Sequence, residues 1–320
     1  MSPAENAANG IWPEFQAIID KDVASGHPGL EDLPVESARR IMASALVRWG
    51  GARSSQVVVE EMRMPAAGDL VGVRVYRPRG STRRPTVVFF HGGGFVLGDL
   101  DTHDAVASRL AHHAGATVVS VDYTRAPEAS AEAMLAQCRD VVVSLREWAE
   151  RQPDWSGSLG VVGDSAGATL AWHSISSLSW VHERVIDGAL LFYPPVFPEC
   201  STASWEAMAS RHFLARSTMR WFWTQFFAGG CGPTWEPLRV TSNLPRVDLV
   251  VGSRDPLLDE CLQLGRSIGE SNATSQTLVV PGAVHGFAGM GVVSPRAEAL
   301  VIDLFRAFGA RLSVHVVTDR

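Results

Sequence analysis

Two serines stand in the pattern Gly-x-Ser-x-Gly: GDSAG spans Gly163 to Gly167 and GRSIG spans Gly265 to Gly269. The pentapeptide alone gives modest support for a nucleophile, so local context must separate the copies. The first follows the apolar run LGVV and opens the helix-like ATLAWHSISSL. Strand, sharp turn, helix is the order that lifts a serine hydroxyl out of a strained bend and aims it from a helix N-terminus. Glycines flank such a bend because a Cβ would strike neighbouring backbone. The second copy interrupts the amphipathic stretch that begins at Leu257 and has no strand before it. Ser267 therefore reads as an ordinary serine near a helix end, and Ser165 as the candidate nucleophile.

A serine hydroxyl attacks only when a base takes its proton, so a histidine must come within hydrogen-bond reach. Ten histidines compete. His173 lies on the helix that follows Ser165, and eight residues at about 1.5 Å each put it roughly 12 Å down the axis. His285 follows the strand-like TLVVP and precedes Gly286 and Phe287, so it belongs on a loop at a strand's carboxyl end. A plain surface-loop histidine fits that position as well. The third member of such a relay is a buried carboxylate that holds the imidazole in one tautomer. Asp255, in VVGSRDPLLDE, follows an apolar run and precedes Pro256. That dipeptide also suits a helix start, and an aspartate there can cap the helix and still face a cleft. The chain order Ser165, Asp255, His285, each just past its own strand, is that of α/β-hydrolases.

Acyl transfer through serine builds negative charge on the former carbonyl oxygen, which needs backbone N–H donors at about 2.7–3.1 Å. Three glycines in HGGGF, Gly92 to Gly94, follow the apolar run TVVFF. Gly92 and Gly93, with the N–H of Ala166, are the expected oxyanion donors. A phosphate cradle is the rival use of a glycine loop, but neither GxxxxGK[ST] nor GxGxxG is present.

Those loops need a frame. Gln56 to Arg63 and Leu70 to Arg77 alternate apolar and polar residues around PAAGD, as a β-hairpin does. Six apolar runs then read as buried strands, at Thr86 to Phe90, Thr117 to Tyr123, Leu159 to Gly163, Gly188 to Tyr193, Val247 to Gly252 and Thr277 to Gly282. Helical spacing occupies Ala131 to Glu150, Ala166 to Leu178, Leu257 to Glu270 and Pro295 to Leu312. This alternation predicts an α/β fold with a mostly parallel sheet of about eight strands and helices on both faces. Two segments stand apart: residues 1–50, which read as two or three short helices, and about 197–236, too long for a plain loop. Both are placed to fold over the carboxyl edge of the sheet, where open α/β sheets bind ligands.

Composition removes other classes. The formal charge of −6 comes from 28 basic and 34 acidic residues without a basic block to neutralise a phosphate backbone, so no nucleic-acid partner is expected. The opening MSPAENAANGIWPEF has no basic start and no apolar run, and no segment reaches the ~18 apolar residues of a membrane span. A cytoplasmic protein without a membrane partner is the expectation. Cys138, Cys200, Cys231 and Cys261 lie far apart with no CxxC, which suits reduced packing thiols better than zinc or disulfides.

Taken together, HGGGF, GDSAG, DPLLDE (Asp255 to Glu260) and HGF (His285 to Phe287) resemble the hormone-sensitive-lipase-like branch of the α/β-hydrolases, over nearly the whole chain from Pro34 onward. The resemblance implies the α/β-hydrolase fold and a catalytic domain over 51–320. It also implies a helical cap made of residues 1–50 and the insertion at about 197–236. It implies a serine carboxylesterase working through an acyl-enzyme on Ser165, with Asp255 and His285 as partners and no cofactor or metal. Phe95, Asp164, Trp221, Phe222 and Phe287 are the expected substrate contacts. Three departures stand out. DYTRAPE replaces the usual DYRLAPE, so Thr124 and Arg125 leave that arginine's ion pairing open; the Phe-Pro that commonly follows is missing; and Ala168 replaces a frequent glycine.

The insertion is crowded with Trp205, Phe213, Trp221, Phe222, Trp223, Phe226, Phe227 and Trp235. That crowding suits a substrate lining, simple packing of a small cap, or the contact of a homodimer. The expected substrate is a small to medium, uncharged carboxylic ester, with an acetyl ester among the candidates. An amidase or N-acetyl hydrolase using the same three residues is the alternative. A ligand-binding protein on a hydrolase scaffold would be expected to have lost one of them.

Overall fold

The computed structural model describes residues 10–80, 83–179, 185–208, 213–228, 236–238, 240 and 243–314. Cys231 and Trp235 lie outside the described residues.

The long apolar runs become the middle of one eight-stranded sheet. In chain order the strands are β1 (Val57–Ala66), β2 (Asp69–Pro78), β3 (Arg84–Phe90), β4 (Thr117–Asp122), β5 (Trp155–Asp164), β6 (Gly188–Phe192), β7 (Arg246–Arg254) and β8 (Gln276–Val284). Their order across the sheet is β1-β2-β4-β3-β5-β6-β7-β8. The hairpin β1–β2 and the β2–β4 pair are antiparallel, and every pairing from β4 and β3 through to β8 is parallel. Every position of β3 and β6 is buried, as strands covered on both faces must be. β1, at the edge, alternates instead.

Parallel neighbours need crossovers. The helices are α1 (Pro13–Ser25), α2 (Val35–Gly50), α3 (Asp104–Ala114), α4 (Ala131–Glu150), α5 (Ala166–Leu178), α6 (Ala203–Met208), α7 (Arg216–Phe227), α8 (Leu258–Ser271) and α9 (Pro295–Val314). α3 and α9 pack on each other over one face, and α4 and α5 over the other. Where α9 crosses β5, a Cβ on Gly160 would meet Phe308 and Leu312. α3 is the crossover between β3 and β4 that the sequence reading leaves unassigned. It is short, and its stripe is made of alanines rather than large apolar residues.

Registers set the carboxyl edge. Phe90 pairs with Gly163, Asp164 with Phe192, and Arg254 with Val284. The segments that leave β3, β5, β7 and β8 therefore emerge on one rim. The N-terminal helices and α6–α7 pack against each other: Phe213 meets Phe15 and Trp49 edge-on, at 6.0 and 5.8 Å, and Thr218 donates to Glu31 at 2.7 Å. The start of α1 also grips the chain near β8. The Trp12 N–H donates to Gly282 O at 3.0 Å, and the Glu14 carboxylate accepts from Ser294 Oγ at 2.7 Å and from Arg296 Nε at 2.8 Å.

Candidate active site

Ser165 occupies the bend between β5 and α5 with φ +50° and ψ −126°, a region that costs a non-glycine residue of order 1–3 kcal/mol. The bend is tight on both sides. A Cβ on Gly163 would overlap the carbonyl of Gly167, and one on Gly167 would overlap those of Phe90 and His91. The Ser165 N–H donates to Phe192 O at 2.9 Å, tying the turn to the neighbouring strand. Ser267 instead sits inside α8, its hydroxyl bonded to Gln263 O one turn back at 3.3 Å.

Ser165 Oγ lies 3.0 Å from His285 Nε2, and His285 Nδ1 lies 3.0 Å from Asp255 Oδ2. Asp255 is fully buried and His285 is 9% exposed. A carboxylate only accepts, so Nδ1 carries the proton and Nε2 presents its lone pair to the hydroxyl. The other Asp255 oxygen, Oδ1, accepts the Leu257 N–H at 2.9 Å in the turn before α8, so this side chain both starts a helix and faces the cleft. Tyr193 meets the imidazole edge-on at 4.8 Å, and its hydroxyl accepts the Ala288 N–H at 3.2 Å. His173 stays on α5, where burial pushes it down to about 4.

The three glycines are each required by a different neighbour. A Cβ on Gly92 would overlap the Asp164 carboxylate, one on Gly93 the Leu97 carbonyl, and one on Gly94 the ring of Phe222. Gly93 and Gly94 also have φ of +121° and +60°. The expectation that Gly92 serves as an oxyanion donor is corrected here, because its N–H donates to Asp164 Oδ1 at 2.9 Å. Among the described residues the N–H groups of Gly93, Gly94 and Ala166 meet no acceptor, so these amides are left open where that of Gly92 is not.

Three of the expected substrate contacts are also corrected. Phe95 has no exposed surface and stacks on Phe226 at 4.2 Å. Phe287 is equally buried, between Tyr193 and Phe192. Both are packing residues with no face to offer a ligand. Asp164 supports the glycine loop instead of lining a cleft. Phe222 lies over Gly94 with Trp221 beside it at 5.1 Å, and these two remain at the rim. Trp223 stacks on Phe227, one helical turn on, at 5.5 Å.

The DYTRAPE departure has a structural counterpart. Arg125 donates to the carbonyl of Gly98, and the ion pair to Glu128 is made by Arg39 from α2 at 2.7 Å. Arg39 also donates to Val96 O at 2.9 Å and Ala126 O at 3.0 Å, joining α2 to the glycine loop. Sequence reading also misses His91, His103, Tyr193 and Glu260. Of these His91 and Glu260 carried a signal, as the first letter of HGGGF and the last letter of DPLLDE. Among the described residues no group of three or more His, Cys, Asp or Glu side chains could hold a metal ion.

Comparison with known proteins agrees with this fold. A family model described as alpha/beta hydrolase fold matches residues 87–289. An ethyl acetate hydrolase of Pseudomonas putida is 28% identical over 286 residues, covering 87% of this chain and 90% of that protein. An acetyl esterase of Salmonella enteritidis is 24% identical over 318 residues, covering 93% and 94%. The crystal structure of a thermostable esterase from Pseudomonas putida superposes with a TM-score of 0.87 at 27% identity, over 100% of both chains. A hyperthermophilic esterase from Pyrobaculum calidifontis does so at 0.83 and 28%, over 97% of this chain and 100% of that one.

Proposed function

The chain belongs to the alpha/beta hydrolase fold family, in its hormone-sensitive-lipase-like carboxylesterase group, and from that membership we propose that it hydrolyses small, uncharged carboxylic esters through an acyl-enzyme on Ser165. The observation that carries the reading is the unbroken line from Ser165 through His285 to Asp255, with 3.0 Å at each step. Ser165 Oγ attacks the ester carbonyl as His285 Nε2 takes its proton, and Asp255 stabilises the imidazolium that forms. The new oxyanion faces the N–H groups of Gly93, Gly94 and Ala166. His285 then gives the proton to the departing alcohol, and water, deprotonated by the same imidazole, releases the acid. Preorganised amides of this kind are worth about 10²–10³ in rate each.

Esters are favoured over amides by the relatives, named for ethyl acetate and acetyl esters. The N-terminal helices and α6–α7, packed on each other above the rim, are proposed as the cap. Cys138, Cys200 and Cys261, buried and unpaired, fit a reducing cytoplasm, and no helix among the described residues is long and apolar enough to cross a membrane.

The test is hydrolysis of p-nitrophenyl acetate and butyrate beside an N-acetyl anilide. Wild type should cleave the esters, Ser165→Ala should lose at least about 10³ of the rate, and a fluorophosphonate should label Ser165. Faster anilide cleavage would move the assignment to an amidase, and label on Ser267 would overturn the choice of nucleophile.

A further inference from the structure

Against the glycine loop lies a second histidine–aspartate contact. Asp164, the residue before the nucleophile, has one oxygen on the Gly92 N–H at 2.9 Å. Its other oxygen, Oδ2, lies 3.6 Å from His103 Nε2, with the two side chains only 15% and 7% exposed. His103 ends the loop that leaves the glycines and immediately precedes α3.

The opposite ring nitrogen decides the protonation state. His103 Nδ1 is 3.0 Å from the hydroxyl of Thr102. That hydroxyl has a single hydrogen, which it donates to Asp99 O at 2.8 Å, while it accepts the Asp99 N–H at 2.8 Å. With its hydrogen committed, the oxygen can only accept from Nδ1. Nε2 faces a carboxylate, which also only accepts. Each nitrogen therefore needs its own proton.

We propose that Asp164 and His103 form a buried carboxylate–imidazolium pair that positions the oxyanion loop, with both nitrogens of His103 protonated in the resting protein. The pair touches no reacting atom. It acts through Gly92, whose N–H is drawn onto Asp164 and whose missing Cβ leaves room for that carboxylate. Fixing the first glycine fixes the start of the backbone that presents the Gly93 and Gly94 amides. The catalytic consequence rests on the esterase reading above, whereas the protonation state does not.

The surroundings agree. Burial works to raise the carboxyl pKa of Asp164, but the neighbouring His103, with His91 and the Gly92 amide, holds it below the usual carboxylate range. His91, whose ring centroid is 5.3 Å from that of His103, takes the other role. Its Nδ1 donates to Gly92 O at 2.8 Å, and its buried Nε2 has no partner among the described residues. It is neutral, as a ring beside a fixed imidazolium should be. Phe89, at 6.2 Å, completes the apolar wall around His103.

The experiment is a ¹⁵N-histidine spectrum of the full chain at pH 7, with His103 assigned by the resonance lost in His103→Gln. Steady-state kinetics of Asp164→Asn and Asp164→Ala on p-nitrophenyl acetate, per fluorophosphonate-titrated site, accompany it. His103 should appear as a doubly protonated imidazolium in wild type and lose that signature in Asp164→Asn, which keeps an acceptor for Gly92 but no charge. Asp164→Ala should lower kcat by about 10- to 10²-fold, less than outright removal of an oxyanion donor, with KM within about threefold. Asp164→Asn should fall between it and wild type. A neutral His103 in wild type overturns the pairing, and an Asp164→Ala kcat within about twofold of wild type overturns the positioning role. If Asp164→Ala does not fold, the wild-type spectrum and Asp164→Asn carry the test. A Ser165→Ala variant as active as wild type would defeat the esterase reading and leave the spectrum untouched.

Discussion

His91 shows how a motif letter takes on meaning only from its surroundings. Burial, with the neighbouring charge of His103 adding to it, pushes its pKa down to about 3. Its ring stacks on Tyr123 at 4.4 Å, and the Tyr123 hydroxyl donates to the His91 carbonyl at 2.8 Å. A histidine kept neutral by the fold gains a proton on unfolding whenever the pH is below its unfolded value, near 6.5. The stability it contributes is therefore complete above that pH and drains away as pH falls toward 3. Thermal melts should show the unfolding midpoint dropping across this window, and His91→Gln should flatten the dependence. At this scale the meeting of Ser165, His285 and Asp255 was readable because each follows its own apolar run, which any parallel sheet delivers to one rim. The Gly92 amide was misread. Which way an amide points depends on φ, ψ and the carboxylate behind it, and Asp164 is 72 positions away from Gly92 in the chain. Phe95 and Phe287 were misread for a related reason: an aromatic beside a motif looks the same in text whether it lines a cleft or fills the core.

Among the elements, the insertion before β7 is anchored by the segment that carries Asp255. Glu260 on α8 accepts the N–H groups of Val196 and Phe197 at 2.5 and 2.7 Å and the Trp205 indole at 2.9 Å, and burial pushes it up to about 7. Asp259 beside it accepts the Ser204 N–H at 2.7 Å, starting α6. Glu260→Ala would strand three buried donors at about 1–3 kcal/mol each, so a loss of about 3 kcal/mol or more is expected in urea unfolding. Activity should fall with it, because Asp255 shares that segment. On α7, Phe222 lies against Gly94 and is 6% exposed. Phe222→Ala should raise hydrolysis of p-nitrophenyl hexanoate relative to acetate by about tenfold, since a few buried methylenes are worth about 1–3 kcal/mol. An unchanged ratio would place the acyl chain elsewhere. The period-2 and apolar-run signals made all eight strands visible, whereas α3, a short element with mostly small buried residues, was left unassigned.

Across the whole molecule, the groups gathered at the site come from the middle of the sheet and from its edge. The glycine loop leaves β3, with Arg39 of α2 bonded to its carbonyls, while His285 leaves β8, near the far edge of the sheet. The grip of Trp12 and Glu14 reaches both flanks of the His285 segment, at Gly282 before it and at Ser294 and Arg296 after it. Trp12 and Glu14 thus brace the segment that carries His285, although both lie more than 270 residues before it in the chain. Glu14→Ala with Trp12→Ala should leave the sheet's far-UV signature intact yet lower kcat by about tenfold, roughly what a small drift of the imidazole costs. Engineering done at this end of the polypeptide, such as fusing a tag or trimming residues, will then register as lost turnover well before it registers as lost structure.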